Sequence, residues 1–121
     1  MKIKYLTTSD ILKIHDKIIG ETGGHSGLLF YSNLDFEVAK SKIPKTLERS
    51  ATTLFYGILS SHAFVDGNKR TSFVVMEIFL EKNSKKLKAN EEEVWKIIKK
   101  ISEGKLKFEE VVHWIKQNIG D

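Results

Sequence analysis

Two apolar segments joined by a short polar loop constrain this chain more than any other feature. From Thr46 to about Ser61 the positions Leu47, Ala51, Leu54, Phe55, Ile58 and Leu59 recur at helical spacing. From about Asn68 to Glu81 the residues Phe73, Val74, Val75, Met76, Ile78, Phe79 and Leu80 leave almost no polar face. A helix that is apolar nearly all the way round is buried on several sides. These two segments are therefore expected at the centre of a small bundle, as its scaffold.

The remaining segments read as cover for that centre. A first helix is expected from Thr8 or Ser9, where a hydroxyl can cap the free amides, with Ile11, Leu12, Ile14, Ile18 and Ile19 on its apolar side. It should stop before the stretch Gly20 to Gly24. Glu21 to Ser32 carries three glycines, then Leu28, Leu29, Phe30 and Tyr31, which suits a short extended or hairpin element. Asp35 to Ser41 reads as a short helix ended by Pro44, because a proline disfavours helical geometry in the residue before it. Two amphipathic helices follow, Glu91 to Ser102 and Phe108 to Asn118, with Gly104 in the break between them. The expected fold is all-α: a compact bundle of about six helices with a short hairpin-like flap, in one domain over residues 1–121.

Composition removes several chemistries. The chain of 121 residues has no cysteine, which excludes a disulfide framework, a zinc-thiolate site and thiol catalysis, and fits a reducing cytoplasm. Twenty Lys plus Arg against 16 Asp plus Glu give a formal charge of +4, too mild to imply direct nucleic-acid binding. The opening MKIKYLTTSDIL lacks the apolar core and cleavage site of a signal peptide, and no apolar run approaches the roughly 20 residues that cross a bilayer. A cytoplasmic location and no membrane partner are expected.

Between the two apolar helices stands HAFVDGNKRT, from His62 to Thr71. If Gly67 and Asn68 lead into the second helix, its first amides lack internal partners and, with the helix dipole, form an anion site. Lys69 and Arg70 would then fall in the first turn, where cations oppose the dipole; a bound anion would relieve that conflict. Asp66 supplies a hard oxygen ligand of the kind that holds magnesium together with the phosphates of a nucleotide. An imidazole, with an ordinary pKa of about 6.5, can take a proton from an attacking hydroxyl, which makes His62 a candidate general base. Phe64 should turn inward and pin the loop. Each residue also has an ordinary reading, with His62 closing a helix, Gly67 making a tight turn and Asn68 capping the next helix. The residues alone leave both readings open.

At these positions the sequence resembles the Fic/Doc family. The family pattern H-x-F-x-(D/E)-G-N-G-R-x-x-R is matched by His62, Phe64, Asp66, Gly67, Asn68 and Arg70. It departs at Lys69, which replaces the glycine after the asparagine, and at Phe73, which replaces the final arginine. Both departures are similar to the Doc, or death-on-curing, toxin branch, whose loop reads H-x-F-x-D-x-N-K-R. Ile14-His15-Asp16, the Gly23-Gly24 turn and the C-terminal helices also recur in Doc-like proteins.

The resemblance implies a Doc-like toxin component of a toxin–antitoxin system. Such a protein transfers the γ-phosphate of ATP to a Ser or Thr hydroxyl of a target, in Doc a threonine of elongation factor Tu, and so blocks translation. Carried over, His62 would be the base, Asp66 the magnesium (Mg2+) ligand, and Lys69 and Arg70 catalytic phosphate contacts, with Gly67, Asn68 and Thr71 completing the nucleotide site. Gly24, His25, Ser26 and Gly27 match the place of the family's flap, which holds the target chain by backbone pairing; an ordinary hairpin packed on the core is the alternative. His25, His15 and His113 are expected at the surface. Self-inhibited Fic proteins carry a Ser or Thr four residues before a Glu-Gly or Glu-Asn pair, whereas Lys99 precedes Glu103-Gly104 here. Inhibition by a separate Phd-like antitoxin is therefore expected. Two alternatives stand beside the kinase reading: Fic-type AMP transfer, in keeping with the intact Asp66-Gly67-Asn68, and a non-catalytic partner-binding domain.

Overall fold

The computed structural model describes residues 2–28 and 30–121, so Leu29 of the expected extended element lies outside the described residues. Six α-helices occur among the described residues: α1 (Thr8–Thr22), α2 (Tyr31–Ser41), α3 (Leu47–Ser61), α4 (Asn68–Lys82), α5 (Glu91–Ser102) and α6 (Phe108–Asn118). The all-α bundle expected from the sequence is the fold observed. None of the described helices is long and apolar enough to cross a membrane.

Helix α3 is the axis, packing against α2, α4, α5 and α6. Ala51, Leu54, Phe55 and Ile58 on α3 are almost wholly buried, as are Val75, Met76, Phe79 and Leu80 on α4. Burial of each such large side chain contributes about 1.5–3 kcal/mol relative to exposure. The buried threonines of α3 cost little, because Thr52 donates to the Glu48 carbonyl at 2.6 Å and Thr53 to that of Arg49 at 2.8 Å. The outer helices contribute one apolar stripe each, Val94, Ile98 and Ile101 from α5 and Val111 and Ile115 from α6.

Helix starts follow capping chemistry. Thr7, not the expected Thr8 or Ser9, caps α1: its hydroxyl accepts from the Asp10 amide at 3.1 Å while the Asp10 carboxylate accepts from the Thr7 amide at 2.8 Å. That backbone bond holds the Asp10 carboxyl below its ordinary pKa. Thr8 instead donates across the bundle to Asp35 at 2.7 Å. Asn90 accepts from the Glu93 amide at 2.9 Å and starts α5, whose first turn holds Glu91, Glu92 and Glu93 and whose last holds Lys99 and Lys100.

Two helix bounds are corrected, and one element is added to those expected. Helix α1 runs through Gly20 and ends at Thr22, because Gly23, at φ +84°, is the first residue whose backbone leaves the helix. Helix α2 starts at Tyr31 rather than Asp35: the Leu34 amide already donates to the Phe30 carbonyl at 3.3 Å, and that turn buries Leu34 on the same face as Val38. A two-residue strand β1 (Lys86–Leu87) pairs antiparallel with β2 (Ile119–Gly120), an element too short to leave a period-two signature.

Gly20 is exposed, helical, and would place an added Cβ in open space. Gly20→Ala is therefore expected to stabilise the chain by about 0.5–1 kcal/mol in urea titration, since alanine loses less backbone entropy. No gain, or a loss, would contradict the observed continuation of α1 through this residue.

Candidate active site

The loop between α3 and α4 begins at His62, which closes α3 in the left-handed region at φ 49°. This conformation costs a non-glycine residue of order 1–3 kcal/mol and persists because its surroundings hold it. Ala63 and Phe64 then turn into the core, at 0% and 1% exposure, while Val65 and Asp66 turn out. The inward Phe64 and outward His62 and Asp66 are as the sequence implied.

Gly67 turns the chain into α4 at φ 78°, and the helix's 13-atom ladder starts with the Thr71 amide on the Gly67 carbonyl at 2.9 Å. The amides of Asn68, Lys69 and Arg70 precede that bond and have no place in the ladder. Asn68 does not cap the helix. Its side chain accepts from the Phe64 amide at 3.2 Å and donates to the Phe64 carbonyl at 2.9 Å, closing the loop on itself.

A cavity of about 410 Å³ opens over this helix end. His62, Asp66, Gly67, Asn68, Lys69, Arg70 and Ser102 supply its polar lining, and Leu59, Val65 and Trp95 its apolar lining. Arg70 lies over the half-buried Trp95, its guanidinium carbon 5.6 Å from the ring centre. Phe73 is 9% exposed and meets Trp95 edge-on, with centroids 5.5 Å apart. Thr71 is not brought to the cavity: it is fully buried one turn before Val75, and its hydroxyl is enclosed without a partner among the described residues.

Gly24, His25, Ser26 and Gly27 are all exposed, beside the loop. Among the described residues this segment does not fold back on itself as a hairpin; it pairs with the loop. The Val65 amide donates to Gly27 at 2.9 Å, the Phe30 amide to Ala63 at 3.1 Å, and Leu28 bridges Phe64 in antiparallel sense. Close approach explains two glycines. A Cβ on Gly24, whose φ is +115°, would lie 2.6 Å from Asp66 Oδ2, and one on Gly27 would lie 2.7 Å from Val65 Cγ2.

One of the three histidines expected at the surface is not there. His25 and His113 are exposed, but His15 is 1% exposed and stacks on Phe64, with centroids 3.7 Å apart and planes 7° from parallel. Its Nε2 lies 2.8 Å from the Asp66 carbonyl oxygen. The signal was present: His15 is four residues after Ile11 and three before Ile18, on the apolar face.

No cluster of three metal-binding side chains occurs among the described residues. Asp66 has one carboxylate oxygen on the Gly67 amide at 2.8 Å and the other facing Gly24. A single hard carboxylate at a helix end fits magnesium, which takes its remaining ligands from phosphates and water.

A model of the Fic/DOC family matches residues 5–80, a span that takes in α1, α2, α3, the loop and nearly all of α4. No curated protein matches the chain.

Two outcomes test this geometry. Gly23→Ala and Gly24→Ala both force alanine to a positive φ, but only Gly24 also meets Asp66, so it should cost up to about 1 kcal/mol more in urea unfolding; equal costs would mean that the Asp66 carboxylate is not held against Gly24. Glu77, beside Phe73 and Arg70 and still exposed to solvent, has its carboxyl pushed above the ordinary 4.5 by partial desolvation, then by Glu81 and Glu91. A raised carboxyl favours the folded chain below its ordinary pKa, and that contribution is lost as pH rises through the folded value. Glu77→Gln should therefore raise Tm slightly at pH 7 and change it little below pH 4; no rise at pH 7 contradicts the upward shift.

Proposed function

Since the chain belongs to the Fic/DOC family, whose members transfer phosphate-containing groups to proteins, we propose that it transfers the γ-phosphate of ATP to a Ser or Thr hydroxyl of a target protein. The observation that carries this reading is the single cavity where His62, Asp66, Lys69 and Arg70 meet the free N-terminal end of α4.

In this reading His62 takes the proton of the acceptor hydroxyl, whose oxygen forms a bond to the γ-phosphorus while the bond to the bridging oxygen breaks and ADP leaves. The first amides of α4, Lys69 and Arg70 hold the phosphate oxygens in place. Asp66, whose side chain lines the cavity, is the residue that would hold magnesium, which neutralises phosphate charge when bound. Asn68 contributes by keeping the loop closed through Phe64. Gly24 to Gly27 would offer backbone to an extended acceptor chain, as in strand addition.

Lys69 and Phe73 favour phosphate over AMP. Where AMP-transferring relatives carry a glycine and a second arginine, this chain has a long cation on the cavity wall and a buried aromatic ring against Trp95. AMP transfer, with loss of pyrophosphate, is the second reading, favoured by Asp66-Gly67-Asn68. The Doc resemblance supports elongation factor Tu as the cytoplasmic target, arrest of translation as the effect and a Phd-like antitoxin as the restraining partner.

Incubating the protein and a cell lysate with γ-labelled or α-labelled ATP separates these readings. Protein label from the γ-position alone is expected, and His62→Ala should lower its rate by about 10²–10⁴-fold. Label from the α-position alone would replace phosphate by AMP transfer; label from neither would leave a binding role.

A further inference from the structure

We propose that His15, a buried residue of α1, is a positioning residue for the transfer: it fixes the peptide that carries Asp66 and thereby sets where that carboxylate stands relative to His62 and the α4 amides. The inference rests on the role given to Asp66 above.

A buried imidazole needs a reason. Its neighbours on the same face, Ile11 and Ile18, fill the core with apolar side chains, and a third aliphatic residue would do so without a polar group to satisfy. His15 instead spends both of its features on the loop. Its ring lies flat on Phe64, and its Nε2 faces the Asp66 carbonyl oxygen at 2.8 Å. A carbonyl only accepts, so Nε2 carries the hydrogen and donates it.

Asp66 is thereby held from separate directions. Its carbonyl accepts from α1, its Oδ1 accepts from the Gly67 amide at 2.8 Å, and its Oδ2 abuts Gly24. The two hydrogen bonds engage both ends of the peptide unit joining Asp66 to Gly67, the unit that leads directly into α4. If that unit rotates, the carboxylate and the first turn of α4 move together. Without the His15 donor, the Asp66 carbonyl loses its partner from α1, and the loop is left to the Phe64 packing, the Asn68 bonds to Phe64 and the Val65–Gly27 bond, none of which engages that carbonyl. Contacts of this supporting kind typically change activity by about 10–100-fold.

Two variants separate the stack from the bond. His15→Phe keeps an aromatic ring on Phe64 and removes the donor; His15→Gln keeps a donor of similar reach and removes the ring. With labelled ATP and a lysate as substrate, His15→Phe is expected to lower the rate at saturating ATP by about 10–100-fold while the apparent KM for ATP changes less than about threefold. His15→Gln should recover most of that loss.

Amide hydrogen exchange supplies a readout independent of transfer. In His15→Phe the Val65 and Gly67 amides should exchange at least about tenfold faster, with α5 amides unchanged, and His15→Gln should restore them. The proposal is overturned if His15→Phe keeps the wild-type rate and exchange, if both variants lose activity equally, or if exchange accelerates throughout the chain. A wild-type protein that labels nothing instead removes the transfer reading, and the exchange rates still decide whether His15 holds the loop.

Discussion

The stack of Phe64 on His15 is the contact on which the arrangement of this molecule turns. Two buried helices are joined by six residues, and such a connection exposes its polar groups in order only if something apolar anchors it from below. Phe64 is that anchor, inserted between α1 and the α3–α4 pair with 1% of its surface exposed. Given that insertion, the division of the loop follows: Ala63 and Phe64 face the core, Val65 and Asp66 face out. The left-handed turns at His62 and Gly67 then reverse the chain at either end, and Asn68 reaches back to Phe64 and locks the result.

The same reversal creates an electrostatic tension. Lys69 and Arg70 stand at the positive end of the α4 dipole, a placement that destabilises an isolated helix by tenths of a kcal/mol for each charge, on the order of 0.3–1 kcal/mol. Asp66 offsets part of this, and Arg70 lies over Trp95, whose ring face attracts a cation. Phosphate groups would offset the rest. A local arrangement that is poor for folding and good for holding an anion is what a functional site leaves in an otherwise consistent sequence.

The glycine-rich segment belongs to the same unit. Its backbone pairs with the loop through Gly27, Leu28 and Phe30, and Gly24, at φ +115°, approaches so closely that any side chain there would displace the Asp66 carboxylate. The segment is therefore packed against the loop that carries His62 and Asp66. Its exposed apolar residues, Leu28, Phe30 and Tyr31, extend the surface that begins at Val65.

Periodicity alone located α3, α5 and α6 to within a residue, because each alternates apolar and polar positions at the helical repeat between clear caps or breaks. The inventory of the loop was equally legible, since His62, Asp66, Lys69 and Arg70 fall within one short stretch of sequence and line one cavity. Other features were decided only by the tertiary structure. Whether a glycine ends a helix depends on the φ it adopts, which is why α1 passes Gly20 and stops before Gly23. Thr71, one residue beyond Arg70, is turned into the core by the helical twist and leaves the site. His15 lies 51 positions from Asp66, and its partner exists only after α1 has packed against the loop. Local chemistry is written in neighbouring residues; the partner of a buried polar group is chosen by what the fold brings beside it.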